Sequence, residues 1–381
     1  MADLSHCYLD NLGTDEEKLL TQLRQRIPEI IERAKGESED VAALSDFTIW
    51  QKDITSQSDA SDIILLKYLR AEELNLDKAT DRLVATLVFR TDCKIDQLAD
   101  AEMPEHFQGH DELCGYDADG RPIVISRFGK MDLPLVFGDV EAFVRYRAKI
   151  MELAMRRLKF ERGAAEELCQ VHDYSGVPLV GLPPEVKQGV TAVSKVFGEH
   201  YPETKGKTIF VNFPSVFGKL WKAFSGIIPE RTRNKFVILG QGDALALFEH
   251  LRPEVVPEAL GGLQQDPPSA LTTPSHVVSV KARASEEISC AMAEGPCTIL
   301  WELRVAGANE ASYEVFFKSS QEAAEEESVQ KSESGKYLTA EAGIVSGQYE
   351  AKEAGELKIR FRNECAWFKS RVCVCRAQVG V

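Results

Sequence analysis

His172 and Tyr174, in the run Gln170-Val-His-Asp-Tyr174, are the side chains best placed to do chemistry. On a strand alternate residues share a face, so imidazole and phenol point together and Asp173 points away. A phenolate is a hard anionic oxygen suited to ferric iron, and tyrosine serves as an axial ligand of haem. Its proton must then leave far below the ordinary pKa of ~10, which bound Fe(III) or a nearby cation achieves. Arg147 is a candidate to balance phenolate or propionate charge, and Tyr68 is a candidate for the pocket wall. The same two polar-tipped aromatics would also serve in the wall of an apolar pocket, holding water or a headgroup. The residues alone leave both readings open.

A second stretch, 214–228, carries Val216, Phe217, Leu220, Trp221, Phe224, Ile227 and Ile228, with Lys219 and Lys222 among them. An amphipathic helix of this kind lies on a membrane surface or packs as a core helix. There is no GxSxG elbow, P-loop, HExxH or helix-entering GxGxxG, so enzyme is the class with the least support. The nine cysteines are scattered with no CxxC pair, which reads as reduced thiols of a cytosolic protein. Cys373 and Cys375 could share a strand face, as buried thiols rather than a metal site.

These residues need elements to hold them. Residues 14–34 show helical periodicity, with capping-box spacing at Thr14 and Glu17 and a break expected at Pro28. Asp62 is placed to cap a helix over 63–72, and another runs from Leu76 to about Arg90. After a turn at 116–120 come a β-rich run 122–128, a helix 139–160 and a strand 168–173. A helix 184–197, a strand 208–212, a helix around 219–227 and a strand 236–239 follow. Strands alternating with helices predict a mostly parallel sheet. Beyond a Pro/Ser/Thr-rich stretch the period becomes two, with strands at 299–305, 313–317, 356–362 and 370–375, and an acidic loop at 321–328.

The expected organisation is therefore multidomain. A helical region, 1–100, precedes an α/β domain with a mostly parallel sheet and an apolar pocket, 101–263. A linker, 264–280, then leads to an all-β sandwich, 281–381. At 381 residues and 44% hydrophobic content each part can build a core. The net charge of −15 disfavours a nucleic-acid partner. The polar, acidic opening does not read as a signal peptide, and no apolar run reaches the ~18 residues that span a bilayer.

Six ordered motifs between about 45 and 262 resemble the CRAL-TRIO lipid-transfer family. They are Leu65-Leu-Lys-Tyr-Leu-Arg70, Gly115-Tyr-Asp-Ala-Asp-Gly-Arg-Pro122, Asp173-Tyr-Ser-Gly176, His200-Tyr-Pro-Glu203, Thr232-Arg-Asn-Lys235 and Leu260-Gly-Gly262. Leu300-Trp-Glu302, Phe361-Arg-Asn363 and Trp367-Phe-Lys-Ser-Arg371 resemble a GOLD domain. The resemblance implies a deep apolar pocket closed by 214–228 as a gating helix, with Phe224 and Ile228 on its apolar side. It implies phosphatidylinositol exchange between membranes by a peripherally associated cytoplasmic protein, with the endoplasmic reticulum as the expected organelle. Thr232 and Lys235 match the lid's phosphate contacts and Glu203 an inositol-contacting acid. Glu72, Glu73 and Thr204 stand where that pattern is basic, so a headgroup site here would differ from the usual one. The run 170–174, with Val196–Glu203 and Lys67-Tyr-Leu69, is similar to a fungal branch that binds haem b through the tyrosine with the histidine beside it. Thr208 stands where a basic haem neighbour is expected, and Lys207 should face away. Two other readings stay open: a haem sensor or carrier with vestigial lipid transfer, and an adaptor sensing a hydrophobe such as tocopherol or squalene. In the adaptor, the GOLD-like domain would dock a protein partner.

Overall fold

The computed structural model describes residues 8–40, 47–178, 181–214, 233–307, 310–321, 326–332, 337–364 and 366–380. The chain forms two compact units, Met1–Ile238 and Leu239–Val381.

The first unit opens with helices α1 (Thr14–Gln25) and α2 (Ile27–Glu37). They part just before Pro28, whose missing N–H is tolerated in a first turn. Thr14 caps nothing: Gly13 is the N-cap, without a side-chain bond, and Thr14 is already helical. Helix α3 (Asp59–Ala71) is capped by Ser58, whose hydroxyl accepts from Ser61 N at 3.3 Å. Asp62, the expected cap, lies inside that helix and pairs with Arg24. Asn75 caps α4 (Leu76–Asp92).

The sheet follows, in the order β1 (Asp111–Tyr116), β2 (Pro122–Arg127), β3 (Leu168–Asp173), β4 (Lys205–Val211) and β5 (Phe236–Ile238). β1 and β2 form an antiparallel hairpin, and every other pairing is parallel. Asp117 shapes the hairpin turn: Asp119 N and Arg121 N donate to its Oδ1, and Arg121 Nε donates to Oδ2 at 2.8 Å. β2 is buried along its whole length and β3 nearly so, as central parallel strands must be. Helices α5 (Leu133–Phe137), α6 (Val140–Met155) and α7 (Pro184–His200) also belong to the unit. One hydrophobic core joins the N-terminal helices to α6, α7 and Val124 and Leu168 of the sheet.

The second unit contains a one-turn helix, α8 (Ala244–Phe248), and an antiparallel β-sandwich. Its strands are β6 (His276–Val280), β7 (Ser285–Ala293), β8 (Cys297–Ala306), β9 (Glu310–Ser319), β10 (Glu326–Lys331), β11 (Val345–Ala351), β12 (Gly355–Arg362) and β13 (Arg371–Val379). One sheet is ordered β11-β8-β13-β6 and the other β10-β9-β12-β7, with the two-residue strand Leu338–Thr339 also paired to β9. β12 alternates buried and half-buried residues, the period-two pattern of a strand with one face in the core. Part of the expected acidic loop, 326–328, begins strand β10 instead, where cross-strand pairing with β9 overrides its polarity. Residues 261–263 pack within this unit: Arg304 Nη1 donates to Gly262 O at 2.7 Å, and Leu263 shares a small cluster with Ala306 and Val374. No helix among the described residues is long and apolar enough to cross a membrane.

Candidate functional site

Parallel register assembles one face of the first unit's sheet. His172 lies between Ser126 of β2 and Phe210 of β4, and Gln170 lies opposite Thr208, which in turn pairs with Phe236. Phe128 stacks on His172 at 5.3 Å, and Phe210 is 5.5 Å from it. Tyr174 sits against Phe128, Phe210 and Phe213 at 5.5, 6.0 and 5.0 Å. The expected pairing of His172 with Tyr174 is thus realised inside a phenylalanine cage.

The cage sets the protonation of both residues. His172 Nδ1 is buried with no hydrogen-bond partner. Burial, then Arg147 and Lys205, push the imidazole down to about 3 against the opposing pull of Asp111, so it is neutral at physiological pH. Burial alone raises the Tyr174 phenol above its ordinary value. Arg147 reaches this face from α6, but its Nη1 donates to Asp111 Oδ1 at 2.5 Å and Ser126 Oγ at 3.2 Å. Burial opposes the Asp111 charge; Arg147, Ser126 and Tyr146 outweigh it and hold the carboxyl low. Arg147's charge is therefore already matched. Tyr68 is not part of the cage. It is wholly buried on α3 and belongs with Thr86, Arg90, Arg82 and Glu152, its phenol pushed up to about 12 chiefly by burial.

At the other end of the same face lies a cavity of about 470 Å³. Its lining includes Arg70, Arg82, Lys205, Lys235, Glu203 and Thr208. Lys235 Nζ donates to Lys205 O at 2.7 Å and meets Glu167 at 3.4 Å. Glu203 adopts a left-handed φ of 51°, and its carbonyl accepts from Lys67 Nζ at 2.8 Å. That lysine is wholly buried, also donates to Glu166 O at 2.5 Å, and is pushed down to about 8, first by burial. It fastens α3 to the segments that precede β3 and β4. Thr232, Phe224 and Ile228 lie outside the described residues, as does the rest of 215–232.

Two cations of this cavity were missed by sequence reasoning. Arg82 of α4 donates to Glu72 at 2.7 Å, so the acid standing at an expected basic position has its own cation, brought from another helix. Lys205 should face away from Thr208 by strict alternation, yet Leu168 pairs with Lys205 and Cys169 with Lys207. The extra residue is Gly206, a bulge that turns Lys205 onto the His172 face. A Cβ on Gly206 would come within 3 Å of Arg121 Cδ and of Glu167. That glycine was the available signal. Lys205 is exposed at the cavity wall, and the groups packed about its ammonium, then Arg147, lower its pKa. No group of three His, Cys, Asp or Glu among the described residues could hold a metal ion. Cys373 and Cys375 are both wholly buried.

Residues 108–262 match the CRAL/TRIO domain, and residues 18–85 match the CRAL/TRIO N-terminal domain. The phosphatidylinositol transfer protein SFH5 of Cryptococcus neoformans var. neoformans serotype D is 30% identical over 269 residues, 65% of this chain and 87% of that protein. Patellin-2 of Arabidopsis thaliana is 30% identical over 328 residues, 84% of this chain. The chain spans 47% of patellin-2's length. Patellin-6 of the same plant is 27% identical over 93% of this chain and 85% of its own. The crystal structure of Sfh5 superposes with a TM-score of 0.54 at 25% identity, covering 62% of this chain and 84% of that one. With the two family modules in order along the sequence and a relative matched over most of its length, the chain belongs to the CRAL/TRIO family.

Proposed function

We propose that the first unit binds one phospholipid along the His172 face and exchanges it between membranes to which the protein attaches peripherally, with phosphatidylinositol as the preferred ligand. The observation that carries this reading is the grading of that face. Arg70, Arg82, Lys205 and Lys235 surround its cavity end, three of them shared with Glu166, Glu72 and Glu167 and Lys205 without an ion pair among the described residues, and Phe128, Phe210 and Phe213 form its other end. Strand β4 runs between them, about 20 Å at ~3.3 Å per residue. An amphiphile with an anionic head and apolar chains matches that gradient, and each CH₂ withdrawn from water contributes ~0.8 kcal/mol. The choice of phosphatidylinositol follows the name of the SFH5 relative. Lys235→Ala removes a charge-assisted phosphate contact and is expected to weaken phosphatidylinositol binding about tenfold, and phosphatidylcholine binding less. Titration with both lipids checks this, and equal losses would remove the selectivity.

We further propose that haem b binds in or beside this lipid cavity at the Tyr174 side of the cage, sharing its walls with the lipid chains, with Tyr174 as the iron ligand and His172 beside it. The orphaned Nδ1 of His172, the adjacent phenol and the phenylalanine walls suit a flat, mostly apolar group with a hard cation at its centre. Ferric iron would supply a Lewis acid strong enough to ionise a phenol that burial keeps protonated. Arg147 is committed to Asp111, so Lys205 is the better candidate for propionate charge, a role expected of the Thr208 position. Protein made with ample haem should show a Soret band, lost or strongly shifted in Tyr174→Phe and only perturbed in His172→Ala. A colourless wild type, or an unchanged Tyr174→Phe spectrum, contradicts this assignment.

A further inference from the structure

We propose that the C-terminal β unit carries its own membrane-docking tip, the Trp367–Phe368 loop ringed by Lys281, Arg283 and Lys369, which inserts into the interface of an anionic bilayer. This goes beyond the lipid pocket and does not depend on it.

Trp367 is 74% exposed and Phe368 95%. They are the one adjacent pair of exposed large hydrophobic residues among those described; the others stand singly. The loop has a folded base. Wholly buried Asn363 donates from Nδ2 to Val280 O at 3.0 Å and to Lys369 O at 2.9 Å, and its Oδ1 accepts from Ala366 N at 3.3 Å. Its backbone exchanges bonds with the neighbouring turn, Arg283 N to Asn363 O at 2.9 Å and Asn363 N to Ala284 O at 3.0 Å. Ala366 is buried beneath the tip. Turn 281–284 and the loop after Asn363 therefore stand side by side, and the aromatics are held outward by packed structure.

The charge around the tip selects the occupant. The Arg283 guanidinium lies 4.1 Å over the Trp367 ring, on a backbone with left-handed φ of 61°. Among the described residues no carboxylate pairs with Lys281, Arg283 or Lys369, although the chain carries a net −15. Glu364 is the one acid of residues 364–370. An indole rests at headgroup depth, a phenyl ring goes deeper, and lysine and arginine beside them meet anionic headgroups. A protein groove for two aromatics would need carboxylates set against each cation. A lipid surface offers diffuse negative charge with no such match, and the observations favour it.

The test uses the full chain and vesicles of phosphatidylcholine with or without phosphatidylserine. W367S/F368S is expected to lower the vesicle partition coefficient roughly 30-fold or more, as two large apolar side chains leave the interface. K281E/K369E should lower it at least about tenfold on phosphatidylserine vesicles and little on phosphatidylcholine alone. Acyl-brominated lipid should quench tryptophan fluorescence in the wild type, with that contribution absent in W367F. Lipid held in the first unit after loading from detergent, measured by mass spectrometry, should be the same in all these variants, which separates this proposal from the pocket reading. Wild type that does not float with phosphatidylserine vesicles, or W367S/F368S that floats equally well, overturns the proposal and reassigns the tip to a protein contact.

Discussion

Glu152→Ala is expected to lower the stability of the first unit by about 3–5 kcal/mol. Glu152 is wholly buried on α6, and both its oxygens accept from Arg90 at 2.9 Å. Tyr201 donates to the same carboxylate at 2.8 Å. Burial opposes the Arg90 charge, but Glu152 and Asp96 more than offset it and hold the guanidinium's pKa above its ordinary value. Truncating the acid leaves that buried cation with only the more exposed Asp96, which costs far more than the intact pair contributes. At ~2–4 °C per kcal/mol for a unit of this size, the midpoint should fall by about 6–20 °C. Replacing both partners with leucine should recover part of the loss, because no buried charge remains but the buried Tyr201 phenol loses its acceptor. Thermal unfolding followed by circular dichroism checks both variants, and an unmoved midpoint for Glu152→Ala contradicts this account of the core. The network also bears on the site, since Tyr201 and the residues after it line the cavity.

Phe210→Asp should abolish lipid exchange, a loss of 100-fold or more by the order-of-magnitude cost of burying an unpaired carboxylate against hydrocarbon. Phe210 touches His172, Tyr174, Phe213 and Phe236, so it stands at the centre of the apolar half of the face. It is half-buried rather than a sealed core residue, so the fold should tolerate the change. Phe210→Leu keeps the apolar character and should retain most transfer. Exchange of labelled lipid between vesicles is the readout, and equal rates for Asp and Leu would remove the cage from the lipid path.

The strands were legible because their patterns follow from burial. Residues 122–125 are apolar on both faces, as a central parallel strand requires, and 356–362 alternate, as a sandwich strand requires. Placing His172 and Tyr174 on one face needed only that period. The helix starts were less legible, since several residues near a helix start can cap it, and Ser58 and Gly13 were used in place of Asp62 and Thr14. Lys205 was hidden by the same regularity that revealed His172: one extra residue at Gly206 inverts the face of everything before it. Arg82 was hidden because its pairing with Glu72 depends on how α3 and α4 pack, which no local pattern records.

Binding and movement of a phospholipid by the His172 face is the proposal on which the rest depends. Its most direct test is transfer of labelled phosphatidylinositol from donor to acceptor vesicles by the full chain, at protein amounts far below the lipid. Repeated turnover by the wild type is expected, with about one phospholipid found per protein by native mass spectrometry and both signals lost in Phe210→Asp. A wild type that carries no phospholipid and leaves the label in the donor vesicles would contradict it.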